Sequence, residues 1–169
     1  ILINNAGIRV SGDVEKTSLE LWNYVLSTNI TSIFLGCKYT LPLLKKSKIG
    51  SIVNLASITS IRGAKNMLAY ATSKSAIVSF TASLALDLAK YKIRVNAVAP
   101  GAIDTQMVTS LKKEINSISK YNIRMKEAHP IGRIGYPQEV ANLVCFLASE
   151  EASFMTGSTI PVDGGRSIR

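Results

Sequence analysis

Three side chains, Ser57, Tyr70 and Lys74, stand at a spacing that can assemble a proton-transfer site. Tyr70 and Lys74 lie four residues apart in Tyr70-Ala-Thr-Ser-Lys74-Ser-Ala-Ile-Val-Ser-Phe-Thr, a stretch with helical periodicity, so both project from one helix face. A free phenol titrates near ~10 and is a poor base at neutral pH, but a neighbouring ammonium favours the phenolate. Tyr70 is thereby a candidate general acid and base. Ser57 follows the apolar run Gly50-Ser-Ile-Val-Asn-Leu-Ala, which reads as a buried strand. Its hydroxyl falls at the strand's carboxyl end, where open α/β sheets bind ligands. A Tyr-x3-Lys pair alone is also an ordinary helix-surface pair, so its companions decide.

Those companions are Asn4-Asn5-Ala6-Gly7 after the apolar Ile1-Leu2-Ile3, Asn29 in Ser27-Thr-Asn-Ile, and Arg94-Val-Asn-Ala-Val-Ala-Pro100-Gly101 followed by Thr105. In this order they resemble the short-chain dehydrogenase/reductase family, as does Val162-Asp-Gly-Gly165 near the end. The resemblance implies an NAD- or NADP-dependent oxidoreductase. It makes Tyr70 the catalytic acid and base, Lys74 the group that lowers its pKa and holds the nicotinamide ribose, and Ser57 the partner of the substrate oxygen. Asn29 would sit at a local helix irregularity and bind a water joining Lys74 to solvent. Asn5, Ala6 and Gly7 would pass the adenosine ribose, the bare Gly7 Cα permitting close approach. Pro100 and Gly101 would shape the nicotinamide pocket, with Ile103 and Thr105 beside the carboxamide and phosphates. Asn96 fits a structural partner better than a catalyst. No metal is called for, because His129 and the well-separated Cys37 and Cys145 lack ligand spacing.

Stepping outward to the elements, strands at Ile1–Asn4, Ser51–Ala56, Ile93–Ala97 and Thr159–Val162 alternate with helices. One helix carries Leu19, Trp22, Val25, Leu26, Ile30, Ile33 and Phe34 and ends near Leu44; another runs from Tyr70 to Lys90. Pro137-Gln-Glu139 opens a third, with proline pre-set for a first turn and glutamate at the positive helix end. The expectation is a Rossmann-like, doubly wound parallel sheet in a single α/β domain, with residues 104–128, polar and basic, as the substrate lid. The family's opening strand and Gly-rich phosphate turn are missing from these 169 residues. The chain therefore reads as the C-terminal two-thirds of a domain, short of three βα units or about 80 residues. NAD and NADP are not distinguished, because the discriminating residue falls in the absent part.

The net charge of +9 is concentrated between residues 38 and 136, which hold 16 Lys or Arg against 4 Asp or Glu. The charges sit in separate turns and helix ends without aromatic interleaving, which argues against nucleic acid. No apolar run long enough for a membrane span and no secretory segment is present, so a cytoplasmic protein is expected. The resemblance further implies a homotetramer acting on a small alcohol or carbonyl compound. The stretches from His129 to Val140 and from Phe146 to Gly157 resemble glucose or aldohexose dehydrogenases, toward which the reading leans, and also 3-oxoacyl-carrier-protein reductases. In the second case Lys45, Lys46, Lys48, Lys90 and Lys92 could meet an acidic acyl carrier protein. A third possibility, of another class, is a non-catalytic fragment or interaction module.

Overall fold

The computed structural model describes residues 1–108 and 118–169. Four parallel strands, β1 (Leu2–Asn4), β2 (Ser51–Leu55), β3 (Arg94–Pro100) and β4 (Thr159–Val162), lie side by side in chain order. Register is regular, with Ile3 opposite Val53, Val53 opposite Asn96 and Val98 opposite Ile160. Helices cover both faces, so the expected doubly wound α/β arrangement is what the chain adopts.

The period-two alternation of strand side chains sorts the core into two layers. On one face Ile52, Ala56, Val95 and Ala97 pack with Ile33, Cys37 and Leu44 of α2 (Ser32–Leu44) and Ile77, Ala85 and Leu88 of α3 (Leu68–Leu88). On the other, Val53, Leu55 and Val98 meet Leu147 and Ala148 of α5 (Pro137–Ala148). Between α3 and α5, helix α4 spans Ile118–Ala128.

Polar side chains inside this core fix register and ends. Asn4 Nδ2 donates to Asn54 Oδ1 at 2.8 Å, and Asn54 Nδ2 donates to Thr81 Oγ1 at 3.0 Å, tying β1 to β2 and β2 to α3. Asn96, fully buried, donates to the Met155 carbonyl and accepts the Ser158 amide, the structural task expected of it. Arg94 donates to the Leu147 and Ser149 carbonyls, each at 2.7 Å, closing the carboxyl end of α5 where helix carbonyls lack intrahelical partners.

Several boundaries differ from the sequence reading for physical reasons. β3 runs on to Pro100 because β4 keeps pairing with it as far as Val162. The helix expected to continue to Leu44 is interrupted: α1 (Leu19–Leu26) passes through a π turn at Ser27–Thr31 into α2. α3 begins two residues before Tyr70, since the Gly12 carbonyl accepts the Leu68 amide and so supplies a cap from a neighbouring loop. Of the segment 104–128 assigned to a lid, residues 109–117 lie outside the described residues; its last part is α4.

Candidate functional site

The carboxyl ends of β1, β2 and β3 open into a cleft of about 620 Å³. Asn5, Ala6, Gly7, Ser57, Tyr70, Lys74, Pro100, Gly101, Ile103 and Thr105, all singled out in the sequence, line it. Met107, Val140 and Cys145 add an apolar wall. Asn29 does not reach the cleft; it lies fully buried behind Gly7 and Lys74.

The site is assembled by helix α3 lying across the end of β2. Tyr70 and Lys74, one turn apart, are both buried, and Lys74 Nζ lies 5.9 Å from the Tyr70 ring centre. The ammonium donates to the Leu55 carbonyl at 2.6 Å. Burial pulls it from its ordinary 10.5 down to about 8. Ser57, just past β2, accepts the Thr59 amide at 3.2 Å and hydrogen-bonds the Tyr70 phenol.

The phenol itself departs from expectation. Burial pushes its pKa above the ordinary 10, while the Ser57 hydrogen bond and then the charge of Arg9 pull the other way without prevailing. Lys74 faces a carbonyl from β2, and desolvation outweighs cationic tuning at the phenol.

Asn29 occupies the π turn, the helix irregularity expected of it. Its Oδ1 accepts the Ile8 amide at 2.8 Å, and its Nδ2 donates to the Ile8 carbonyl and to Ser73 Oγ, each at 2.9 Å. Ser73 in turn donates to the Tyr70 carbonyl at 2.7 Å. Both amide hydrogens are thus committed, and one lone pair of Oδ1 remains. Asn29 joins the turn after β1 to the first turns of α3. Gly7 suits this packing, since a Cβ there would lie 3.3 Å from Asn29 Oδ1 and 3.4 Å from Lys74 Nζ, which would have to give way slightly. The open space at Gly7 is therefore filled by the protein's own polar groups, in addition to any ligand approach from the cleft side.

Pro100 and Gly101 are placed by the extension of β3, and the segment beyond is pinned by Gly135: its amide donates to the Ala102 carbonyl and its carbonyl accepts the Asp104 amide, each at 2.9 Å. Glu139 caps α5 by accepting the Tyr136 amide and pairs with Arg133 at 2.7 Å. Arg133 and the Tyr136 amide hold its carboxyl down at about 2.

Sequence reasoning passed over Ser73, whose only signal is being the small polar residue between Tyr70 and Lys74 on the buried face. It also passed over Arg9 and the Leu55 carbonyl, which carry no motif. The lysines proposed to receive a carrier protein precede β2 and β3, so they stand at the opposite end of the sheet from the cleft.

A parallel sheet with helices on both faces and a Ser-Tyr-Lys cluster at its carboxyl edge defines a Rossmann-type site, and the chain belongs to the short-chain dehydrogenase/reductase family: residues 1–167 match the family model described as enoyl-(acyl carrier protein) reductase. It is 44% identical over 165 residues to the 3-oxoacyl-(acyl-carrier-protein) reductase FabG of Aquifex aeolicus, covering 98% of this chain and 64% of that protein. It is 40% identical to trans-4-hydroxycyclohexanecarboxylate dehydrogenase of Sinomonas cyclohexanicum, with 98% and 59% covered. Among solved structures, the ligand-free aldohexose dehydrogenase of Thermoplasma acidophilum superposes with a TM-score of 0.94 at 43% identity, covering 99% of this chain and 68% of that one. The chain thus spans about three-fifths of the length of these two curated relatives.

Proposed function

We propose that the complete protein is an NAD(P)-dependent oxidoreductase interconverting a secondary alcohol or hemiacetal with its carbonyl form. The observation that carries this is the cluster itself: a buried phenol bonded to Ser57, beside a buried ammonium that has a carbonyl partner and no carboxylate among the described residues. Such an ammonium has donors left for the hydroxyls of a sugar ring. The backbone of Gly7 and Gly101 lines the cleft, held close by the protein groups packed behind each glycine.

Lys74, Tyr70, Asn5, Ala6, Gly7, Pro100, Gly101, Ile103 and Thr105 would hold the nicotinamide nucleotide, which supplies the hydride chemistry when bound. Ser57 Oγ holds the substrate oxygen. Tyr70 Oη, protonated at neutral pH, gives its proton to the carbonyl oxygen during reduction; during oxidation it takes the hydroxyl proton as its own passes on toward Lys74. Lys74, drawn to about 8, exchanges a proton near neutral pH and stands close enough to Tyr70 to accept its charge change. Asn29 keeps the turn after β1 against α3, with one lone pair of Oδ1 available to a water on the path from Lys74.

For the substrate we favour an aldohexose. The likeness to the Thermoplasma acidophilum aldohexose dehydrogenase supports it, and the lysines expected to attract an acyl carrier protein stand away from the cleft. The curated relative from Aquifex aeolicus supports the second reading, a 3-oxoacyl thioester. A homotetramer is supported by the exposed Phe34, Tyr39 and Leu43 of α2 and Leu86 of α3, apolar surface suited to symmetric pairing. Light scattering should give four times the protomer mass.

The test is Tyr70→Phe in the complete protein with a substrate panel. Turnover should vanish while nucleotide affinity stays close to wild type; a wild-type single-turnover rate would remove Tyr70 from the mechanism. Aldohexoses should generate NAD(P)H, and acetoacetyl thioesters should react little. The reverse pattern transfers the reading to the acyl reductase, and no reaction with either leaves a non-catalytic module.

A further inference from the structure

Behind the cleft, one buried side chain joins the turn after β3 to the end of α4. His129 is 2% exposed. Its Nε2 accepts the Ala102 amide at 3.1 Å, and its Nδ1 faces the Met125 carbonyl oxygen at 2.5 Å. A carbonyl only accepts and a backbone amide only donates. The two partners therefore require the neutral ring with its proton on Nδ1.

Ala102 continues directly from the Pro100-Gly101 turn, and Gly101 and Ile103 on either side line the cleft. The packing behind that turn is tight. A Cβ at Gly101 would fall 2.9 Å from His129 Nε2 and 2.9 Å from Asp163 Cα. A shift of the ring is therefore felt by the cleft backbone, which has no slack on that side.

We propose that His129 is a positioning residue that fixes the Gly101–Ile103 backbone through Ala102 and ties it to the end of α4 through Met125, so that a second proton on the ring releases the turn and weakens nucleotide binding. The nucleotide half of this rests on the function proposed above. A protonated Nε2 points a donor at the Ala102 donor, and that contact turns from attractive to repulsive; the Met125 contact survives in either form.

Charged groups around the ring come from three sides. Asp163, after β4, accepts the Gly165 amide at 3.0 Å and the Ser167 amide at 2.6 Å, and its carboxylate and the ring act on each other electrostatically. Arg133 and Glu139 share the small cavity beside the ring and neutralise one another as a pair. Arg124, Lys126 and Glu127 flank Met125 on α4 and are exposed.

Two substitutions separate the two bonds. His129→Gln sets an amide oxygen near the place of Nε2 and keeps an acceptor for Ala102; His129→Asn keeps a donor near the place of Nδ1 and loses that acceptor. In the complete protein, hydrogen exchange of the Ala102 amide would be followed without nucleotide, and NADH and NADPH affinity from about pH 8 to about pH 5.5. His129→Asn should speed Ala102 exchange and raise the nucleotide Kd about tenfold, as expected for one orphaned buried donor. His129→Gln should stay near wild type in both and lose the weakening that wild type shows on acidification. Equal damage in the two variants, or Ala102 exchange unchanged in His129→Asn, would overturn the proposal by reducing His129 to a space-filler. If His129→Asn fails to fold, the pH profile of His129→Gln decides: a slope like that of wild type refutes. Failure of wild type to bind either nucleotide would instead sink the function reading, and Ala102 exchange would still judge the positioning role.

Discussion

Replacing Lys74 by methionine should make the protein more stable while abolishing its activity. The side chain is 5% exposed, and burial alone brings its pKa from 10.5 to about 8. At ~1.4 kcal/mol per tenfold change, that drop corresponds to about 3 kcal/mol by which the fold disfavours the charged form at neutral pH. Methionine retains most of the volume without the charge. It also leaves the Leu55 carbonyl without its 2.6 Å donor, a loss of about 1 kcal/mol. The net gain is about 2 kcal/mol, or about 4–8 °C in Tm for a chain of this size. The sign with pH follows from linkage. Between the folded value of about 8 and the ordinary 10.5, the unfolded chain still holds a proton that the folded chain has released. Wild-type stability should therefore rise through that window, and the advantage of Lys74→Met should shrink. Tyr70 acts oppositely above its ordinary 10: its folded pKa is raised, so the unfolded phenol ionises first and stability falls. Differential scanning calorimetry of both proteins between pH 7 and 9.5, conditions chosen to lie below about 10 where the phenol stays protonated in both states, isolates the lysine. A lower Tm for Lys74→Met at pH 7, or a difference independent of pH, would show that the buried ammonium imposes no cost.

Asn29→Ala should cost about 3 kcal/mol, since it orphans the Ile8 amide and carbonyl and one bond of Ser73 in a fully buried place; urea denaturation measures it, and a loss under about 1 kcal/mol would mean that water replaces the amide. Turnover should fall with it, because Asn29 and Lys74 both pack beside Gly7. The two thiols should separate cleanly under iodoacetamide: Cys145 is exposed in the cleft and should alkylate in the folded protein, whereas Cys37 is buried with its thiol pushed up to about 11. Peptide mass spectrometry reads this directly, and equal labelling of Cys37 without denaturant would contradict the packing of α2.

The fold class was legible because strand and helix periods alternate cleanly, and because the apolar runs around Ile52–Leu55 and Val95–Ala99 can only be strands buried on both faces. The cleft residues were legible for a different reason: they cluster at strand ends, where the chain leaves the sheet and where asparagine, glycine and proline are conspicuous. The environment of those residues was not. A pKa depends on what surrounds a side chain in three dimensions, and the four-residue spacing of Tyr70 and Lys74 does not reveal that Lys74 turns onto Leu55 or that burial governs the phenol. His129 was set aside as a lone histidine, since its partners are backbone groups of Ala102 and Met125 that leave no mark in composition. The lysines near the ends of α2 and α3 form a basic group as expected, but only strand direction shows that they face away from the cleft.

The π turn at Ser27–Thr31 has an implication for how this chain can change length. A π turn holds one residue more than the α ladder would take, and Val25 before it and Ile33 after it are both core residues. Deleting any one residue of the five would let an ordinary α ladder close through the gap with α1 and α2 still nearly in phase, because the widened turn is what absorbs the extra residue. Val25 and Ile33 would keep their core positions, while Asn29 would lose the widened turn that aims it at Ile8. Conservative exchanges at Ser27, Thr28 or Thr31 change little by comparison. The segment thus encodes its role in the number of its residues: the helices on either side could lose one residue here and still pack, but the aim of Asn29 could not survive it.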